Sequence, residues 1–208
     1  MGAVPDGWGV VHVADTGSGV KLSSSGHPKT RSGSRLARYC YLMPITPFES
    51  LPDSSRAWVY GASADLDAHA AAFLLQHVDS YLDGWKAHGA PLVSGRSWSE
   101  NRFLTVAVDQ EREGASGCSI DGLFRTLKSI EPEVGAQLVT SGLIYYRAND
   151  GRVSAVTRDE FTELSGTGTI DADTQVFDTS VTTLGEWRGR FVSRAADSWH
   201  HSLMASRA

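Results

Sequence analysis

The sequence predicts an α+β fold: a ferredoxin-like β-α-β-β-α-β antiparallel sheet with both helices on one face, then an extra strand and a small C-terminal α/β extension. Three observations predict it. Residues 66–85 and 120–134 repeat apolar side chains at three- and four-residue steps, the period of a helix with one buried face. Short β-prone runs precede, separate and follow these stretches in the order the split arrangement requires. Gly, Pro, Asn and Asp punctuate the joins.

Each element has its own signal. Arg56, Ala57, Trp58, Val59 and Tyr60 alternate and are β-prone, so they form the first strand. Residues 61–64 turn the chain, and Ser63 or Asp65 can cap the helix after the turn. Leu66, Ala70, Phe73, Leu74, His77, Val78, Tyr81, Leu82 and Trp85 mark that helix as long and amphipathic. It is expected to end near His88-Gly89, with Pro91 as a stop. Its predicted buried face is Phe73, Leu74, Val78, Leu82 and Trp85, with Asp79 and Asp83 outward. Residues 92–98 and 103–108 read as strands joined by the turn Ser99-Glu100-Asn101-Arg102. After the break at 114–117, Ile120, Leu123, Phe124, Leu127, Ile130 and Val134 form the second helix. Residues 143–147 and 152–156 pair through Asn149-Asp150-Gly151. Thr157 and Glu160 then have capping-box spacing before Phe161 and Leu164. Gly166 and Gly168 lead to Ile170, Thr174, Val176 and Phe177, and residues 184–191 form a last helix.

Composition bounds the function. A chain of 208 residues with 41% hydrophobic content supports one good core. A net charge of -5 gives no basic field for nucleic acid or an anionic membrane, so neither is expected as a partner. No apolar run suits a transmembrane helix and no secretory leader pattern opens the sequence, so a cytoplasmic location is expected. Residues 1–42 are Gly- and Ser-rich and carry Lys21, Lys29, Arg31, Arg35 and Arg38 against Asp6 and Asp15. Their net charge is +3, which leaves -8 for the remainder. They read as a basic arm for an acidic partner, or as a disordered tail or mis-assigned start ahead of Met43; the composition favours the second pair. Residues 43–208 then form a single α+β domain, with 43–156 as the ferredoxin-like core and 157–208 as the extension.

Chemistry centres on Cys118. The two cysteines, Cys40 and Cys118, are too few for a disulfide framework and lack metal-ligand spacing, so no metal and no cofactor is expected. Cys118 follows a strand and opens a helix, where N–H groups and the helix dipole favour a thiolate. The order of elements brings His88, Asp109 and Asp121 to the same sheet edge. Cys118, His88 and Asp109 are therefore the catalytic candidates. Ser116, Gly117, Ser119 and Asp121 are the candidates for binding a small anionic ligand. Against this, a free cysteine is often simply buried, and a buried structural Cys118 is the leading expectation. His200 and His201 point about 100° apart on a helix and make a poor metal pair. Trp58, Trp85, Trp98, Trp187 and Trp199 read as core or edge packing, with an aromatic ligand platform as the alternative.

Several motifs carry a resemblance. They are Leu51-Pro52, Arg56-Ala57-Trp58-Val59-Tyr60, Trp85-x-Ala87-His88-Gly89, Arg102-Phe103, Ala107-Val108-Asp109, Ala115-Ser116-Gly117-Cys118-Ser119-Ile120-Asp121, Thr174-x-Val176-Phe177 and Ser198-Trp199-His200. Over residues 48–203 the chain resembles a family of short uncharacterised bacterial proteins frequently labelled "ABC transporter ATPase". The resemblance implies no established activity. Phosphate cradling in that ATPase class needs Gly-x4-Gly-Lys-Ser/Thr. That motif is absent, and Gly17-Ser18-Gly19-Val20-Lys21 lacks its spacing, so ATP hydrolysis is not expected. Separately, Arg158, Phe161 and Leu164 followed by Ile170, Thr174, Val176 and Phe177 are similar to a stretch of GYF-like adaptor modules, which points to an interaction surface within 158–177. The expectation is a binding or regulatory interaction domain with a protein partner. The alternative is a thiol-dependent enzyme or redox-responsive protein using Cys118 with His88.

Overall fold

The computed structural model describes residues 46–111 and 114–204. The basic segment 1–42 and Met43 lie outside the described residues. In chain order the elements are β1 (Arg56–Gly61), α1 (Ala68–Asp83), β2 (Lys86–Ala87), β3 (Ala90–Pro91), β4 (Ser94–Ser99), β5 (Phe103–Val108), α2 (Gly117–Val134), β6 (Ile144–Arg147), β7 (Val153–Val156), α3 (Arg158–Gly166), β8 (Gln175–Phe177), α4 (Leu184–Arg190) and β9 (Val192–Arg194). The fold is α+β, as its element order predicts.

The first helix is shorter than its periodicity suggests. Asp67, rather than Ser63 or Asp65, caps it by accepting from the Ala70 amide at 2.8 Å. Gly84 ends it. The chain then folds into the small β2–β3 hairpin, whose turn residues His88 and Gly89 have φ of 51° and 87°. A helix cannot run through left-handed residues, so His88 is a hairpin residue and Pro91 ends a strand rather than a helix. Leu74, Val78, Leu82 and Trp85 are buried as expected, whereas Phe73 is half-buried. Asp79 is not free in solvent: both its oxygens accept from Arg96 of β4 at 2.7 Å.

The sheet arrangement departs from the ferredoxin-like prediction. β1, β5 and β4 form a three-stranded antiparallel sheet in that order. A ferredoxin-like fold would place β6 beside β1. Instead β6 lies inside a second antiparallel sheet of order β7-β6-β8-β9. The boundary expected at residue 156 therefore falls inside this sheet. The physical reason is visible at Tyr145 of β6. Its hydroxyl donates to the Gly61 carbonyl at 2.6 Å, and a Cβ on Gly61 would stand 2.5 Å from the Tyr145 ring. β6 thus meets β1 through a side chain laid against the sheet face, not through a backbone ladder.

The layers run helix, sheet, sheet, helix. α1 and α2 cover one face of the first sheet through Leu74, Val78, Leu82, Leu123 and Leu127 against Leu104, Val106 and Val108. Its other face meets the second sheet at Phe103, Tyr145, Phe177 and Phe191. The outer face of the second sheet, Ile144, Tyr146 and Val176, is closed by Phe161 of α3 and by Ile170. Capping boxes start α3 at Thr157/Glu160 and α4 at Thr183/Glu186. Among the described residues no helix is long and apolar enough to cross a membrane.

Candidate functional site

The structure first locates the residues that the sequence singles out. Ser116 caps α2, accepting from the Ser119 amide at 3.3 Å, and the Ser119 hydroxyl donates to the Ser116 carbonyl at 2.8 Å. Cys118 lies in that first turn and is an exposed free thiol, which overturns the expectation of a buried structural cysteine. Gly117 and Asp121 are exposed in the same stretch. The end of α1 does meet the start of α2, through Tyr81 and Trp85. Both donate to the Ser119 carbonyl, at 2.5 and 3.1 Å. His88 is exposed at its hairpin turn. The Asp109 carboxylate accepts from the Glu111 amide at 2.9 Å. Among the described residues no hydrogen bond or ion pair joins Cys118, His88, Asp109 and Asp121, and no group of His, Cys, Asp or Glu is placed to hold a metal ion.

A second region emerges only from the fold. β1 is an edge strand, since β5 pairs with one side of it alone. Ladder alternation sets which backbone groups face outward. The Ala57 amide donates outward to the Thr182 carbonyl at 2.9 Å, and the Gly61 carbonyl accepts outward from Tyr145. Val59, between them, therefore directs its N–H and C=O away from β5, and neither group has a partner among the described residues.

A cleft of about 620 Å³ lies along this edge. Val59, Tyr60 and Thr179 also line a second hollow of about 230 Å³, so the two adjoin along the groove. Residues 179–183 make the opposite wall. The bridge Arg56–Thr183 and the Ala57 amide, which donates to the Thr182 carbonyl, pair this wall with the start of β1, and no backbone hydrogen bond joins residues 179–181 to β1 among the described residues. Asp178 holds the start of this wall. It is 1% exposed and accepts from the Ser180 amide at 2.9 Å, the Ser180 hydroxyl at 2.5 Å, the Trp199 indole at 3.0 Å and the Arg190 guanidinium.

The groove's electrostatics are simple. Burial pushes the Tyr60 phenol up to about 12, with Tyr81 adding to it, so the hydroxyl stays protonated. Burial likewise raises the Tyr145 phenol. Among the described residues, Arg56 is the charged one that lines the two hollows. Its guanidinium stands over the Trp58 ring at 4.9 Å and makes no ion pair among the described residues. The groove thus offers main-chain donors and acceptors, neutral phenols, and one cation on an aromatic platform.

Sequence reasoning finds the strand 56–60 but not its open edge. Pairing partners are long-range, and in residues 179–183 the one readable signal, the capping-box spacing of Thr183 with Glu186, marks a helix start and not a strand edge. The segment 158–177 closes the outer face of the second sheet and lines neither hollow. Compared with protein-family models, curated proteins and solved structures, the chain matches none.

Proposed function

We propose that this chain is an interaction module that takes up an extended peptide segment along the open edge of β1, acting by binding and not by ATP hydrolysis. The observation that carries this reading is Val59, whose N–H and C=O face the groove without a partner among the described residues. Unpaired strand edges are liabilities that proteins normally cover or blunt. An edge left open inside a walled groove suits strand addition, in which main-chain hydrogen bonds give affinity and side-chain pockets give specificity.

The test selects a displayed random ten-residue peptide library on the intact chain and follows the Val59 amide by NMR. Enriched peptides should shift that amide. Binding should be lost in Thr179→Trp, which fills the groove. Val59→Pro should also lose binding while keeping the fold, because an edge strand tolerates proline where the N–H points outward. Enriched peptides that leave the Val59 amide unmoved, or no enrichment at all, would overturn the reading.

The second reading, thiol chemistry at Cys118 with His88, is favoured by the exposure of the thiol in the first turn of α2. Alkylation at pH 6 to 7 should then outpace a peptide thiol and slow in His88→Ala. A rate unaffected by that substitution leaves no Cys–His pair.

A further inference from the structure

Given the peptide-binding reading, on which it rests, we infer that the segment taken up along β1 carries an acidic side chain that lies on Arg56. Side chains alternate across a sheet, so Arg56, Trp58 and Tyr60 share one face of β1 while Val59 points to the other. The packing agrees: Trp58 and Tyr60 lie against the helical core, and Val59 against the inter-sheet aromatic cluster.

An added strand obeys the same alternation. Its residue opposite Val59 points toward the second sheet, and that residue's neighbours point to the face of Arg56, Trp58 and Tyr60. The position opposite Arg56 is already taken by Thr183. The incoming residue opposite Trp58 is therefore the one whose side chain meets the guanidinium held over the Trp58 ring.

Charge decides which side chain fits there. The nearby carboxylate on the wall side, Glu186, is committed to Thr182, Thr183 and Arg190. The chain as a whole is acidic, at -5, which by itself disfavours an acidic partner. Asp109 follows Val108, the ladder partner of Arg56, yet among the described residues no ion pair joins it to Arg56. Charges beyond about 8 Å are largely screened at physiological salt, so the unpaired Arg56 guanidinium, and not the chain's overall charge, sets the sign here. The partner is an extended segment with Asp or Glu directly next to the residue that pairs with Val59.

The experiment uses the peptides enriched from the random ten-residue library on the intact chain. Changing the acidic residue to its amide should weaken binding about fivefold on the native chain, the scale of one partly exposed ion pair. Arg56→Gln should weaken the acidic peptide by the same factor and abolish the difference between the acidic and amide peptides, closing a double-mutant cycle. If neither change matters while the Val59 amide still shifts, the acidic-partner inference falls and the peptide site stands. If amidating the peptide C-terminus causes the loss instead, the anion is a terminal carboxylate and the side-chain inference falls. If the Val59 amide does not shift, the peptide site itself falls.

Discussion

The two faces of the three-stranded sheet are closed by different chemistry. On the helical side Leu104, Val106 and Val108 meet Leu74, Val78, Leu82, Leu123 and Leu127, an aliphatic seam. On the other side Phe103 lies 5.1 Å from Tyr145, 4.9 Å from Phe177 and 5.2 Å from Phe191. Aliphatic burial is non-directional, whereas aromatic rings favour offset or edge-on geometry and so orient the elements they join. The aromatic face therefore fixes how the second sheet sits on the first. Tyr145 reaches Gly61 from that sheet, and residues 179–183 leave β8 from it. The open edge of β1 results from how the aromatic face is built.

The largest test of this contrast removes one residue from each side. Phe103→Ala should cost about 3–5 kcal/mol and Leu74→Ala about 2–5 kcal/mol, since both side chains are 0% exposed. Denaturant unfolding measures both. Only Phe103→Ala should also shift the Tyr145 ring and Val59 amide resonances. A Phe103→Ala cost under about 1 kcal/mol would show that the aromatic face does not hold the sheets together.

The outermost layer extends the comparison to pH. His200 is 1% exposed, accepts or donates at Nδ1 with the Ser198 hydroxyl at 2.7 Å and stacks on Trp199 with centroids 4.0 Å apart. Burial pushes its imidazole down to about 4, with Asp178 opposing and Arg158 assisting. Between the unfolded value near 6.5 and about 4, the unfolded chain binds more protons than the folded one. Stability should therefore fall as pH drops through that window, by on the order of 3 kcal/mol from this group. His200→Phe should flatten that part of the profile. A profile unchanged by the substitution would mean that other groups carry it.

How much of this is legible in the sequence differs between the faces. The aliphatic seam follows from helical periodicity, and Leu74, Val78, Leu82, Leu123 and Leu127 all fall where the period puts them. The second sheet escapes the sequence reading although β5 carries a sign of it. Phe103, Leu104, Thr105, Val106, Ala107 and Val108 are all buried, a run without polar alternation. Such a run marks a strand covered on both faces. The pairing of β6 with β8 is not legible, because it joins segments separated by a strand, a helix and their connecting turns. The helical period runs on to Trp85, but α1 stops at Gly84, and His88-Gly89, read as a helix end, is the left-handed turn of the hairpin that follows. For the site, the meeting of α1 and α2 ends is readable from element order, whereas the open edge of β1 requires knowing which strands pair.

A smaller effect separates packing from polarity on the aromatic side of β5. Thr105 is 1% exposed, and its hydroxyl has no hydrogen-bond partner among the described residues. Valine has nearly the same shape without the desolvated hydroxyl. Thr105→Val should therefore stabilise the fold by about 1 kcal/mol, raising the denaturation midpoint at constant slope. A loss of stability would point to a water or a small rearrangement that serves the hydroxyl.

The smallest effect concerns the closed end of the groove. Glu186 accepts from the Thr182 amide at 2.7 Å, the Thr182 hydroxyl at 3.0 Å and the Thr183 amide at 3.3 Å. The Thr182 backbone and side-chain hydrogen bonds, with Arg190, hold its carboxyl down to about 2. A depressed carboxylate stabilises above its unfolded value near 4.5, and that contribution is lost as pH falls toward 2. Glu186→Gln keeps the shape and removes the charge, so the global Tm should barely move. Hydrogen-exchange protection should nevertheless drop several-fold at Thr182 and Thr183, where a local opening is enough for exchange. Ala57 is the informative third probe, because its amide donates to the Thr182 carbonyl. Loss of protection at all three would show that the α4 cap holds the wall against β1. Loss at Thr182 and Thr183 with Ala57 still protected would mean that the wall is held by its pairing with β1, and that the end of the groove belongs to the sheet rather than to the helix.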